Sequence, residues 1–318
     1  MNSPKNLLPS GFYDQISEMA FKELETNLQI IKLFRREGFN FVRPSIMEFE
    51  QSLDKNHSSE FFKVTDPISG KMMVLRNDIT PQIARIIKDR FEIEIIKKPI
   101  KISYSGQVFR KNGKGKFAER QITQTGLELI NESDISADSK ILEIIYKALK
   151  TLKINSFTID FCIPSLLLNF LGMVENSKYK LIKKAIEDKN LNYLQSLPET
   201  KQIAKIIKKC DEASDAKEAI KILAEINKKL PKDVEFIIKN LELIIKDLLK
   251  KIGNFKLSLN IFEAKNFHYH TGVCYSIISD DNYEEIVRGG RYKIKISKEK
   301  SVEAVGATII LNSVLRCG

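Results

Sequence analysis

At 318 residues, 43% hydrophobic and 29% charged, the chain can bury a large core, either as one α/β-type domain or as a core with an insertion. No apolar run reaches the ~18 residues of a membrane span, the N-terminus Met1-Asn-Ser-Pro-Lys5 has no signal-peptide pattern, and the four scattered cysteines form no Cys-x-x-Cys pair, so neither a disulfide framework nor a zinc site is indicated and a reducing cytoplasm is expected. The net charge of +11 is mostly Lys set among Glu and Asp, and no Arg occurs between Arg120 and Arg288, which favours solvated helix surface over nucleic-acid binding.

Residues 17–37 place Met19, Phe21, Leu24, Leu28, Ile31 and Phe34 at helical spacing, and Glu37-Gly38 ends the helix. Phe39–Pro44 follows as a strand. Phe62–Leu75 predicts a hairpin around the turn Asp66-Pro-Ile-Ser-Gly70. Thr80 is a candidate N-cap with Pro81 at the first helical position. Asp78 then sits just before a helix N-terminus, where a carboxylate is favoured and can meet a ligand ammonium.

Lys101–Arg110 and Glu119–Ile130 predict the two strands of a long hairpin, joined by the Gly- and Lys-rich Lys111–Lys116. Period-2 alternation puts Arg120, Ile122, Gln124, Gly126 and Glu128 on one face and Thr123, Thr125, Leu127 and Leu129 on the other. A packing face would not choose Gln and Glu around a Gly, and Gly126 leaves room there for a small polar ligand. The alternative is an amphipathic strand with a solvated outer face.

A helix over 137–153 and a strand Phe157–Phe161 come next. Residues 164–253 then carry helical runs at 178–187, 199–210, 214–228 and 231–250 with no catalytic spacing, so an all-helical insertion with a contact role is expected. Strand character returns at Phe255–Phe262, followed by Ala264–Ile277, Arg288-Gly-Gly-Arg-Tyr292 and a strand leading into a helix over Ala304–Leu315. His268 and His270 share a strand face, but no third metal ligand is in range. There is no Ser-His-Asp spacing, no Walker loop and no acidic pair before a Gly-Thr run, so no metal, cofactor or catalytic residue is expected.

Several of these segments resemble one family. Phe109-Arg110, the glycine-rich loop, Arg120-Gln-Ile-Thr-Gln124 and Gly126-Leu-Glu128 resemble motif 2 of class II aminoacyl-tRNA synthetases, in the histidyl-tRNA synthetase version. The helix 17–34 with strand Phe39–Val42 resembles motif 1, the dimerisation element, and Ala304–Leu315 resembles motif 3. Arg76-x-Asp78-Ile-Thr80-Pro-Gln-x-Ala-Arg85 resembles instead the synthetase-like regulatory subunits of ATP phosphoribosyltransferase. The fold so implied is α+β: a mainly antiparallel sheet, helices on one face and a ligand cleft on the other. Its core would span 1–163 and 254–318, with 164–253 as the insertion. By position in the motifs, Asp78, Thr80 and Gln124 would face the α-amino group of histidine, Glu128 its imidazole N–H, and Arg110 a carboxylate or phosphate. Tyr269 and His270 stand where the synthetases carry a Tyr pair.

Departures from the synthetase pattern imply loss of aminoacylation. The motif 3 arginine is replaced by Ser313 with no other Arg near, and the arginine of the histidine-specific motif by Lys265. The sequence ends at Gly318, directly after motif 3, where a synthetase would continue into an anticodon-binding domain. The resemblance therefore implies a non-catalytic regulatory subunit. It would form a homodimer, join a short-form catalytic subunit and respond to histidine. A truncated histidyl-tRNA synthetase core that still activates histidine, or a stand-alone binding module, are the alternatives.

Overall fold

The computed structural model describes residues 8–52, 61–91, 98–114, 118–171, 178–228, 232–263, 270–297 and 299–317. In chain order these form helix α1 (Ser17–Arg36), strands β1 (Asn40–Val42), β2 (Met47–Phe49), β3 (Phe62–Thr65) and β4 (Met72–Leu75), and helix α2 (Thr80–Arg90). The hairpin strands β5 (Ile100–Lys114) and β6 (Glu119–Ile130) lead to α3 (Ser136–Thr151) and β7 (Phe157–Cys162). Six helices follow: α4 (Pro164–Leu171), α5 (Tyr179–Glu187), α6 (Leu191–Ser196), α7 (Lys201–Cys210), α8 (Ala216–Asn227) and α9 (Lys232–Ile252). The chain closes with β8 (Leu257–Leu259), β9 (His270–Ser279), β10 (Glu285–Lys295), β11 (Ser301–Ile310) and α10 (Leu311–Leu315).

The main sheet has the order β1-β5-β6-β11-β10-β9-β7-β8, antiparallel except for the parallel outer pairs β1/β5 and β7/β8. The smaller sheet is β2-β4-β3. Its hairpin turns as expected, with the Asp66 carboxylate accepting the N–H groups of Ile68 and Ser69 and Gly70 at φ +68. The Arg288-Gly-Gly-Arg-Tyr292 run lies inside β10, and its glycines let Tyr275, Cys274 and His270 of the neighbouring β9 approach closely.

One sheet face buries Leu127, Leu129, Tyr275, Ile277 and Val305 against α1, α3, α4 and the helices that follow. α9 packs along both α8 and α3, so Ile238, Leu241, Ile244, Ile245 and Leu248 join this same core. The other face carries a second core, in which Ile79, just before α2, and Ile83 and Ile87 of α2 meet Ile102, Tyr104, Val108, Ile122 and Tyr292.

α1 is turned in an unexpected way. It buries Ile30 and Phe34, but further along the same side it sets Glu23 and Asn27 on the hairpin: Thr123 donates to Glu23 (2.7 Å), and Ser105 (3.0 Å) and Thr125 (2.7 Å) donate to Asn27 Oδ1. Phe21, Leu24 and Leu28 point outward, 61%, 64% and 47% exposed.

Two arginines fasten the sheet to its surroundings. Arg291 is buried against Asp138 at the start of α3 and donates to the Glu132 (2.7 Å) and Asp134 (2.9 Å) carbonyls. Arg120 of β6 lies against the rings of Phe12 (5.4 Å) and Phe62 (4.6 Å) and donates to the Ser10 and Arg110 carbonyls (both 3.2 Å).

Candidate functional site

The site face of the sheet is bounded by the N-terminus of α2. Arg76 fixes this segment by lying over Gly106 and donating to the carbonyls of Gln107 (2.7 Å) and Pro44 (3.0 Å). Directly after it, the Ile79 N–H points at Asp78 Oδ1 (2.8 Å) and at Gln124 Oε1 (3.3 Å), so Asp78 and Gln124 meet at the start of the helix. A carboxylate and an amide oxygen on a helix N-terminal N–H satisfy a donor that the helix cannot use. Thr80 does not act as the expected N-cap. It is the first helical residue, Pro81 is the second, and the Thr80 hydroxyl turns inward to Glu128.

Glu128 is the centre of the arrangement, 1% exposed. Thr80 (3.0 Å) and Tyr104 (3.3 Å) donate to its Oε1 and Tyr292 (3.0 Å) to its Oε2. The Tyr104 hydroxyl also lies 3.1 Å from Thr80 Oγ1 and 2.7 Å from Thr308 Oγ1. Burial pushes the Glu128 carboxyl up to about 8, outweighing the hydroxyls of Tyr292, Thr80 and Tyr104 that favour its charged form, with the Asp78 charge adding to the rise. Burial and the Glu128 charge hold the Tyr104 phenol well above its usual range.

The hairpin face carrying Gln124, Gly126 and Glu128 is therefore not solvated, which settles the alternative left open by periodicity. The space over Gly126 is not left for a ligand either. The Tyr104 ring of the paired strand lies across that glycine so closely that a Cβ would overlap it. Glu128 in turn lies over Gly306 of β11.

Arg110 is largely buried near Asp78, Glu285 and Arg288; burial lowers its affinity for its proton, opposed by Asp78. Arg288 is held by both oxygens of Glu285 (2.6 and 2.5 Å), which also accepts from Ser276 (2.8 Å). His270 opens β9 opposite Tyr292, with ring centroids 6.2 Å apart and edge to face. Burial first and Arg288 second lower the His270 imidazole to about 3, so it is neutral. Lys265, His268 and Tyr269 lie outside the described residues.

The structure thus brings Asp78, Thr80, Gln124 and Glu128 together, with Arg110 and His270 on either side. Tyr104, Tyr292, Thr308 and Arg288 belong to the same site and carried no role in the sequence reading. Tyr292 was visible in the Gly-Gly-Arg-Tyr run, whereas the place of Tyr104 depends on strand register. One expectation needs correction. An arginine does stand near the motif 3 position, because Arg316, one turn beyond, brings a guanidinium nitrogen 3.4 Å from Ser313 Oγ. That guanidinium is taken up by Glu284 (2.6 Å) and Glu119 (3.0 Å). A small cavity at the β8 edge, lined by Ile186, Lys189, Asn260 and Phe262, lies apart from this site.

Chemically, the site offers a buried carboxyl, an amide oxygen, a half-buried carboxylate and an arginine. This set suits a small zwitterion bearing an N–H group. Among the described residues, no group of three His, Cys, Asp or Glu side chains could hold a metal ion.

Comparison with known proteins gives the family and the fold. The histidyl-tRNA synthetase family pattern matches residues 11–314. An ATP phosphoribosyltransferase regulatory subunit from Gluconobacter oxydans is 31% identical, over 90% of this chain and 76% of that protein. One from Paramagnetospirillum magneticum is 30% identical, over 97% of this chain and 81% of that protein. In fold, the chain is similar to an ATP phosphoribosyltransferase regulatory subunit/histidyl-tRNA synthetase from Bacillus halodurans, with a TM-score of 0.81 at 17% identity over 99% of this chain and 84% of that one. It is also similar to a chain of the ATP phosphoribosyl transferase (HisG:HisZ) complex from Thermotoga maritima, with a TM-score of 0.71 at 16% identity over 92% and 98%. The chain belongs to the ATP phosphoribosyltransferase regulatory subunit family, built on the histidyl-tRNA synthetase fold.

Proposed function

We propose that this chain is the non-catalytic regulatory subunit of an ATP phosphoribosyltransferase complex. It joins a short catalytic subunit, raises that subunit's output and carries feedback inhibition by histidine in the first step of histidine biosynthesis. The observation that carries this reading is the convergence of Asp78, Thr80, Gln124 and Glu128 on one small site, in a chain whose motif 3 position holds Ser313 in place of arginine. The side-chain chemistry supports amino-acid recognition, and Arg316, the arginine near the motif 3 position, is taken up by Glu284 and Glu119. The names of the relatives support the assignment to the complex.

Histidine would act by preferring one of two states of the assembly, and the catalytic subunit must sense the same difference. The outward stripe Phe21, Leu24 and Leu28 supports a symmetric homodimer built on α1, to which catalytic subunits add. The helical insertion 164–253 is proposed as a further contact unit. No helix among the described residues is long and apolar enough to cross a membrane, and the cytoplasm is the proposed compartment.

Calorimetry on the isolated subunit tests the site. Histidine should give heat, and Asp78→Asn should weaken binding about ten- to a hundredfold, the loss of a charge-assisted hydrogen bond of roughly 1.5–3 kcal/mol. Glu128→Gln, which exchanges a neutral carboxyl, should weaken it by about tenfold or less, the loss of a neutral hydrogen bond of roughly 0.5–1.5 kcal/mol. Inhibition of the reconstituted complex should weaken in proportion. No heat at millimolar histidine, with inhibition intact in both variants, would make the pocket a relic. The proximity of Arg316 to Ser313 favours a second reading, a synthetase core that still forms histidyl-adenylate. Histidine-dependent ATP–pyrophosphate exchange by the single chain would establish it, and its absence is expected.

A further inference from the structure

His270 is placed as an occupant of the site more than as its wall. Gly290 of β10 pairs with Gly306 of β11, and Gly306 lies beneath the Glu128 carboxyl. His270 leans over Gly290: a Cβ there would sit 2.9 Å from His270 Cδ2. The imidazole and the carboxyl therefore lie over paired glycines of adjacent strands, one strand spacing of about 5 Å apart. Tyr292 touches both, its ring meeting His270 and its hydroxyl bonded to Glu128 Oε2 at 3.0 Å. The two glycines, of β10 and β11, form a floor without side chains, on which the imidazole of β9 and the carboxyl of β6 rest.

An imidazole beside Glu128 is also what the pocket is read to receive from free histidine. The ring already present is in the matching form, since burial and Arg288 keep it neutral. The groups that face it from the packed strands are Tyr292 and Arg288 of β10, Cys274 of its own strand, and Glu128 of β6 beyond Gly306.

We infer that His270 is the chain's own occupant of the imidazole position, an internal competitor that free histidine must displace. The inference rests on the histidine-pocket reading above. Displacement needs only rotation of the His270 side chain, and no bond is made or broken. A pocket filled by its own chain has an apparent affinity reduced by the fraction of molecules in which it is vacant. The residue at 270 then sets the histidine concentration at which the site responds.

Calorimetric titration of histidine, and separately of imidazole, into the wild type, His270→Ala and His270→Phe tests this. His270→Ala should bind histidine about tenfold or more tighter than the wild type, the effect of emptying a site that is vacant about a tenth of the time. It should also bind free imidazole, which the wild type does not. His270→Phe keeps a ring over Gly290 and should show neither gain. His270→Ser removes the same ring and must behave as His270→Ala does, which guards against one variant failing to fold. Unchanged or weaker histidine binding in both small variants would overturn the occupant role while leaving the histidine pocket standing. Binding by the small variants with no heat from the wild type would uphold the occupant and remove feedback from this site. No heat from any of the proteins would overturn both.

Discussion

Glu128 lies flat across Gly306 of the neighbouring strand, so that a methyl group at position 306 would fall within its carboxyl. The carboxyl cannot retreat without leaving the Thr80, Tyr104 and Tyr292 hydroxyls. Gly306→Ala should therefore cost about 1–3 kcal/mol by overpacking alone and abolish the histidine heat. Denaturant midpoints measure the first effect. Adding Glu128→Ala to Gly306→Ala should recover part of the lost stability, because the two changes act on one contact. Simple additivity of the two would show that the overlap is relieved elsewhere.

The raised Glu128 carboxyl makes a pH prediction with a definite sign. Its folded value of about 8 lies above the ordinary 4.5, so between those values the folded protein holds a proton that the unfolded chain has released. Stability from this group is full below the ordinary value and falls as pH rises towards about 8. The total is on the order of a few kcal/mol. Urea unfolding from pH 5 to pH 9 should show this downward slope in the wild type and a shallower one in Glu128→Gln. Parallel slopes would mean that the carboxyl is charged in the folded state.

The strand character of the hairpin is legible from alternation alone, and so is the helical character of residues 164–253, because both depend on local period. Asp78, Thr80, Gln124 and Glu128 could be placed together by resemblance, and the structure brings them within hydrogen-bond reach of one another's neighbours. What could not be read was anything set by register between strands. Gly126 suggested open space, yet the residue that fills it, Tyr104, comes from a strand whose offset no local pattern encodes. Helical spacing likewise predicted α1 without telling which side meets the core. Phe21, Leu24 and Leu28 satisfy the same period whether they face a sheet or a partner, and here Glu23 and Asn27 take the sheet side. Arg316 was overlooked because a helical turn brings position 316 back beside 313.

That orientation of α1 predicts an oligomer that a single substitution can split. Leu24→Glu places a charge in the middle of a stripe that is exposed in the single chain and makes no core contact. The helix content should be unchanged, and light scattering should report a shift from dimer to monomer at micromolar concentration. A wild type already monomeric under those conditions would count against α1 as the dimer contact.

The Arg291–Asp138 pair is a buried ion pair outside the candidate site. Both side chains are buried, and Arg291 also satisfies two loop carbonyls ahead of α3. Arg291→Ala leaves Asp138 as a buried charge without its partner, a loss of about 3–5 kcal/mol. Thermal melts should show a large fall in midpoint for Arg291→Ala. A fall of only a degree or two would mean that solvent reaches Asp138.

The clamp formed by Arg120 ties the first residues of the chain to the hairpin. Phe12 sits between Phe62 of the small sheet and Phe109 of β5, with ring centroids 5.8 and 6.5 Å away, and the Arg120 guanidinium lies against it. A version trimmed to begin at α1 would strip one aromatic partner from that guanidinium and uncover the Phe109 ring next to Arg110. Deletions at this end therefore act on the surroundings of Arg110, although they lie far from Glu128 in sequence.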